Sequence, residues 1–141
     1  MRKRRRINAG ALALLITYVL VILYITLFSR WGERNTTVNL QAFGFLSEVM
    51  RKGSLEPARH FLLNVALFFP FGFLIPFVRP KRAAAGIVSG ALLSFFIEAV
   101  QFVLEAGQCD IDDLIGNTAG TILGILFFTL MMGRRYEDFD D

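Results

Sequence analysis

Four uninterrupted apolar runs, residues 7–28, 61–78, 83–104 and 114–132, decide what solvent this 141-residue chain is built for. Each holds about 18 to 22 residues, and a helix rising 1.5 Å per residue needs roughly 20 to cross about 30 Å of hydrocarbon. Hydrophobic residues make up 55% of the chain, more than a soluble domain of this size uses for one core. The expected fold is an all-α membrane protein with four transmembrane helices and a short external amphipathic segment between the first and the second. Four spans leave almost no chain for anything else, so residues 1–141 are read as one membrane domain.

The first run follows Arg2, Lys3, Arg4, Arg5 and Arg6, as a secretory signal would. Its apolar part is too long for a signal peptide and no small-residue cleavage site follows, so it reads as a retained anchor. Lys and Arg set the orientation. The N-terminal cluster, the turn Arg79-Pro80-Lys81-Arg82 and the pair Arg134-Arg135 fall on one side of an alternating four-helix path, which the positive-inside rule makes cytoplasmic. Both termini are expected there. The connection around Cys109 and the segment 29–60 are expected outside, although Arg30, Arg34, Arg51, Lys52 and Arg59 weaken the asymmetry.

Polar residues inside such runs are costly and are functional candidates for that reason. Asn64, near the start of the second run, Glu98 and Gln101, near the end of the third, and Asp113 and Asn117, at the start of the fourth, fall within about two helical turns of one outer interface. Asp110 and Asp112 precede the fourth run. In the third helix Gly86, Gly90, Ser94, Glu98, Gln101 and Glu105 recur at three- and four-residue steps; in the fourth, Asp113, Asn117, Gly120 and Gly124 share one stripe, and Gly116, Gly120 and Gly124 make two small-xxx-small steps. These stripes are expected to face each other, with glycines joining the helices toward the cytoplasm and polar groups lining a cleft that opens outward. Pro70 and Pro76 predict a kink in the second helix.

The residue types leave several chemistries open. Carboxylate and amide oxygens suit a hard cation, but the acidic run lacks EF-hand spacing. They also suit direct recognition of a headgroup, with acids meeting amines or hydroxyls and Arg51, Lys52, Arg59 and His60 meeting anionic groups. A structural reading has Asn64 and Asn117 bonding across helices and the acids capping the fourth helix. Catalysis has less support. His60 is the only histidine and Cys109 the only cysteine, and no nucleophile elbow, zinc spacing or phosphate loop is present. Neighbouring acids should raise the Cys109 pKa, which argues against a reactive thiolate. An enzyme is therefore not the favoured expectation, and no cofactor, metal or nucleic-acid partner is expected.

Read in order, Asn39-Leu40-x-x-Phe43, Asn64, Phe69-Pro70-Phe71-Gly72 with Pro76, Ser94-x-x-x-Glu98-x-x-Gln101, and Asp110-Ile111-Asp112-Asp113-x-x-x-Asn117-Thr118-x-Gly120 with Gly124 resemble the VanZ-like family of small bacterial membrane proteins. The resemblance runs from about Asn39 to Gly124. It implies a multi-pass protein of the bacterial cytoplasmic membrane linked to resistance to glycopeptide antibiotics, teicoplanin above all, or to cell-envelope homeostasis. Many relatives carry an arginine shortly before the acidic cluster, where this chain has Gly107-Gln108-Cys109; Arg59 is the candidate to replace it. The expected ligand set is Asn64, Glu98, Gln101, Asp110, Asp112, Asp113, Asn117 and Arg59, and the expected partner is a membrane lipid or lipoglycopeptide at the outer interface. The alternatives are a membrane enzyme on lipid-linked phosphates and a small transporter or flippase subunit; the latter needs a homo-oligomer, since four helices scarcely enclose a pathway.

The external segment has its own pattern. Phe43, Leu46, Val49 and Met50 share one helical face and Gly53 ends the run, as in a short amphipathic helix on the membrane surface.

Overall fold

The computed structural model describes residues 8–28, 37–78, 83–105 and 108–137, with side chains to residue 132. The arginines before residue 8, the turn 79–82, Arg30, Arg34, the side chains of Arg134 and Arg135, and residues 138–141 lie outside that description.

Four helices are long and apolar enough to cross a membrane. The first, α1 (Ala9–Leu23), starts at Asn8, whose side chain accepts the Ala11 N–H, and continues as a π-helical turn over Tyr24–Phe28. Between the first and second spans lies the nine-residue α2 (Gly44–Lys52). The second span, α3 (Glu56–Val78), begins a turn earlier than the hydropathy run. The Ser54 hydroxyl accepts the Glu56 N–H and Pro57 occupies the first turn, where a missing N–H costs nothing. The third is α4 (Ala83–Val103), and the fourth, α5 (Ile111–Glu137), has Asp112 and Asp113 in its first turn, complementing the helix dipole. Two short strands, β1 (Val38–Asn39) and β2 (Cys109–Asp110), pair in parallel, with Val38 opposite Cys109 and Asn39 opposite Asp110.

Pro70 and Pro76 both fall inside α3, which runs through them unbroken. A proline strips hydrogen bonding from the preceding turn. In that turn the carbonyl that loses its N–H partner to Pro70 is that of Ala66, and the Tyr18 hydroxyl of α1 donates to the neighbouring Leu67 carbonyl at 2.8 Å, tying α1 to α3 beside the proline. Around it Ile22, Phe68, Phe71, Ile75 and Ile97 form the buried core, drawn from α1, α3 and α4.

The α4 stripe meets α5 as expected, through Gly90 and through the Ser94–Asn117 hydrogen bond, whereas the α5 glycines find a different neighbour. Association in lipid relies on close packing more than on hydrophobic driving force, so glycines mark where backbones meet. Gly116, Gly120 and Gly124 of α5 lie against the backbone of α3, at Phe61, Val65 and Phe69, and Gly72 of α3 lies against Thr121 of α5 in return. The tight seam therefore joins the second and fourth spans. From α4, Gly90 meets the Thr121 side chain and Gly86 meets Ile75 and Ile125. Small residues show that a helix can approach something closely; its identity depends on all three other helices at once.

Candidate functional site

At the end of the bundle where α3 and α5 begin, a cavity of about 610 Å³ opens. Its wall is assembled from β1, α2, the first turns of α3 and the β2–α5 junction, segments far apart in the chain. The β2–α5 junction holds it together by extending a carboxylate to each neighbour. Asp110 Oδ2 accepts Asn39 Nδ2 at 3.1 Å, its Oδ1 accepts the Asp112 N–H at 2.9 Å, and its own N–H donates to Glu98 Oε2 at 3.0 Å. Asp112, almost wholly buried, accepts the Phe43 N–H at 2.5 Å with Oδ1 and the Phe45 N–H at 2.9 Å with Oδ2. It thus caps α2, a helix 67 residues away in sequence, instead of its own. The clamp holds Phe43 at φ 57°, a left-handed conformation that a bulky residue avoids when free. Asp113 Oδ1 accepts Asn64 Nδ2 of α3 at 2.5 Å.

The eight expected ligand residues divide into three groups. Asp110, Asp112 and Asp113 line the cavity. Asn64, Glu98 and Asn117 stand behind that lining: Asn64 holds Asp113, Glu98 is 5% exposed and holds the Asp110 backbone, and Asn117, 3% exposed, donates to Ser94 Oγ of α4 at 2.8 Å. Gln101 and Arg59 are not brought to it. Gln101 is buried toward the first span, where its Nε2 donates to the Thr26 carbonyl at 2.9 Å inside the π-helical turn. Arg59 is an exposed side chain paired with Glu56 at 3.1 Å, one helical turn away, which satisfies it on the outer face of α3. The acidic side chains are thus more structural than their costliness implied, since nearly every one holds a backbone or amide group.

Sequence reasoning left out several cavity residues. Phe45 and Phe61 stack with ring centroids 4.5 Å apart, and Gln41, Glu48, Glu56, Pro57 and Gln108 line the cavity beside Lys52 and His60. Glu48, Glu56, Asp110, Asp112 and Asp113 outnumber the basic residues, and Lys52 is already bonded to Glu48 at 3.1 Å. An excess of carboxylate beside two stacked rings favours ammonium and hydroxyl groups carried on an apolar body. Among the described residues no group of His, Cys, Asp and Glu is arranged as metal ligands are.

Cys109 lies in β2 between the cavity residues Gln108 and Asp110, outside the membrane-length helices. Burial first, then the charges of Glu98, Asp110 and Asp113, push its thiol pKa above the ordinary value, the direction expected from the neighbouring acids. Less thiolate is then present at any given pH. Alkylation by maleimide, followed from about pH 6 to 10 around the ordinary thiol pKa, is expected to reach half its maximal rate at a higher pH in the folded protein than in the denatured chain. Coincident curves would contradict that electrostatic setting.

Four membrane-length helices with a polar, carboxylate-built cavity at one end define a small multi-pass membrane protein. The family model described as VanZ/LLP1 matches residues 15–132, which reaches into all four spans and takes in every cavity residue. Over 135 residues, 88% of this chain and 74% of the relative, the sequence is 30% identical to Protein VanZ of Enterococcus faecium. The chain therefore belongs to the VanZ/LLP1 family. No solved structure matches it.

Proposed function

We propose that this protein works in the bacterial cytoplasmic membrane, where its cavity faces outward and binds the headgroup of a lipid or lipoglycopeptide, contributing to teicoplanin-type glycopeptide resistance or to envelope homeostasis. The cavity itself carries the reading. It combines carboxylates fixed by hydrogen bonds, a stacked Phe45–Phe61 pair and the side chains of Lys52 and His60 at the end of a membrane bundle, which suits a ligand with amine or hydroxyl groups on an apolar body. Residues 2–6, 79–82 and 134–135 supply the basic clusters that favour cytoplasmic termini and hence an extracytoplasmic cavity.

The test is susceptibility to glycopeptides with and without an acyl chain, in cells expressing wild type, Glu98→Gln or no protein. Glu98→Gln keeps an acceptor oxygen for the Asp110 N–H but removes the charge behind the cavity. Wild type is expected to raise tolerance of the acylated drug several-fold and Glu98→Gln to lose most of that gain at equal expression. Equal sensitivity in all three strains would remove the resistance reading. A membrane-impermeant maleimide applied to intact cells should label Cys109; protection until lysis would reverse the orientation.

A further inference from the structure

The helix α2 has two opposed faces. At about 100° per residue, Gly44, Phe45, Glu48 and Lys52 fall together on the side that walls the cavity. Leu46 and Met50 fall on the other side and are exposed, Met50 to 87%, and Phe43, which caps the helix, is exposed as well. Leu40 just before the helix and Leu55 just after it are exposed too, at 74% and 75%. Isolated hydrophobes are ordinary on any protein surface, whereas five in so short a segment, two of them aligned on one helix and a third at its cap, form an apolar face.

What this face meets is fixed by how the segment is held. Asp112 binds the Phe43 and Phe45 N–H groups, Asn39 is tied to Asp110, and Leu55 adjoins Glu56, the first residue of a membrane-length helix. The segment is thus pinned to the end of the bundle with its rotation set by the clamp at its first turn. Around the end of such a bundle lies the boundary between lipid headgroups and acyl chains. A nine-residue helix, apolar on one face, polar on the other and closed by Arg51 and Lys52 in its last turn, has the features of helices that lie in that boundary.

We propose that α2 is an interfacial helix whose Phe43, Leu46 and Met50 sit among the lipids, flanked by Leu40 and Leu55, and that it thereby holds the cavity on its other face at headgroup depth. The assignment concerns lipid contact and stands apart from which headgroup the cavity accepts, so it can fail while the proposed function holds, and the reverse.

The experiment uses the full chain in lipid nanodiscs, with Cys109→Ala as background and single cysteines at Leu46, Met50 or Glu48 carrying an environment-sensitive fluorophore. Labels at 46 and 50 are expected to emit at shorter wavelength and to be quenched several-fold more by lipids bearing a shallow spin label than by aqueous iodide. The label at 48, on the cavity face, is expected to show the opposite preference. Iodide-dominated quenching at 46 and 50 would overturn the proposal. If a label at either position blocks insertion, amide exchange over residues 44–52 in Met50→Glu and Met50→Leu decides the matter. Faster exchange in Met50→Glu alone supports lipid contact, and identical exchange in the two variants overturns it.

Discussion

Gly120→Ala is expected to destabilise the bundle by about 3 kcal/mol, near the upper end of what overpacking costs, and Gly120→Leu to prevent its assembly. Helix propensity alone points the other way, since alanine is favoured over glycine by about 1 kcal/mol in a helix interior. The deciding contact is with backbone. A β-carbon at position 120 would overlap the Val65 carbonyl of α3, and no side chain stands there to rotate away. Relief requires α3 and α5 to separate, which also opens the contacts at Gly116, 3.2 Å from the Phe61 carbonyl for an added β-carbon, and at Gly124 against Phe69 and Phe73. Gly10→Ala makes the comparison, because a β-carbon there meets only the Asn8 side chain at 3.6 Å. Denaturation by sodium dodecyl sulfate in mixed micelles reads both. Equal stability of Gly120→Ala and wild type would mean that the seam between second and fourth spans is absent.

Asp112→Ala is expected to release α2 while the four long helices remain assembled. Its two oxygens hold the Phe43 and Phe45 N–H groups, and hydrogen bonds to a charged group are worth about 1.5–3 kcal/mol each. A loss of roughly 3 kcal/mol, borne locally, corresponds to about a hundredfold faster exchange of the α2 amides, at about 1.4 kcal/mol for each factor of ten. Phe43 would at the same time leave its left-handed conformation, since the clamp on its N–H is what offsets the steric cost of that geometry. Asp112→Asn separates charge from geometry. The amide offers one acceptor and turns an NH₂ toward the second N–H, so it should behave almost as badly as alanine. Hydrogen exchange followed by mass spectrometry supplies the measurement; unchanged protection of residues 44–52 in both variants would show that the cap contributes nothing.

The spans were legible because about 20 apolar residues in a row fit little besides a membrane crossing. Their neighbours were not. The stripe at Gly116, Gly120 and Gly124 announced a close approach, yet its partner is α3, and no pattern in a single helix names the helix opposite. Asp110, Asp112 and Asp113 stood out as costly residues, and all three line the cavity, but their roles as clasps for β1, α2 and α3 follow from contacts made across 49 to 71 positions. The strands β1 and β2 are too short to show an alternating pattern. Phe43 carries no mark of its positive φ, because Asp112 imposes it from elsewhere. Gln101 drew notice as a polar residue in an apolar run, and its neighbour is the widened turn at the end of α1, which nothing in residues 24–28 foretold.

The pairing of Asn39 with Asp110 bears on biogenesis. A chain made from its N-terminus presents the segment after its first span to the membrane long before residues 109–113 exist, so that segment must wait, uncapped, until three spans have entered the bilayer and the fourth is arriving. The polar chamber consequently cannot form until residues 109–113 follow three of the four spans. A ribosome-arrested product ending before Cys109 should insert normally and still lack any chamber at all.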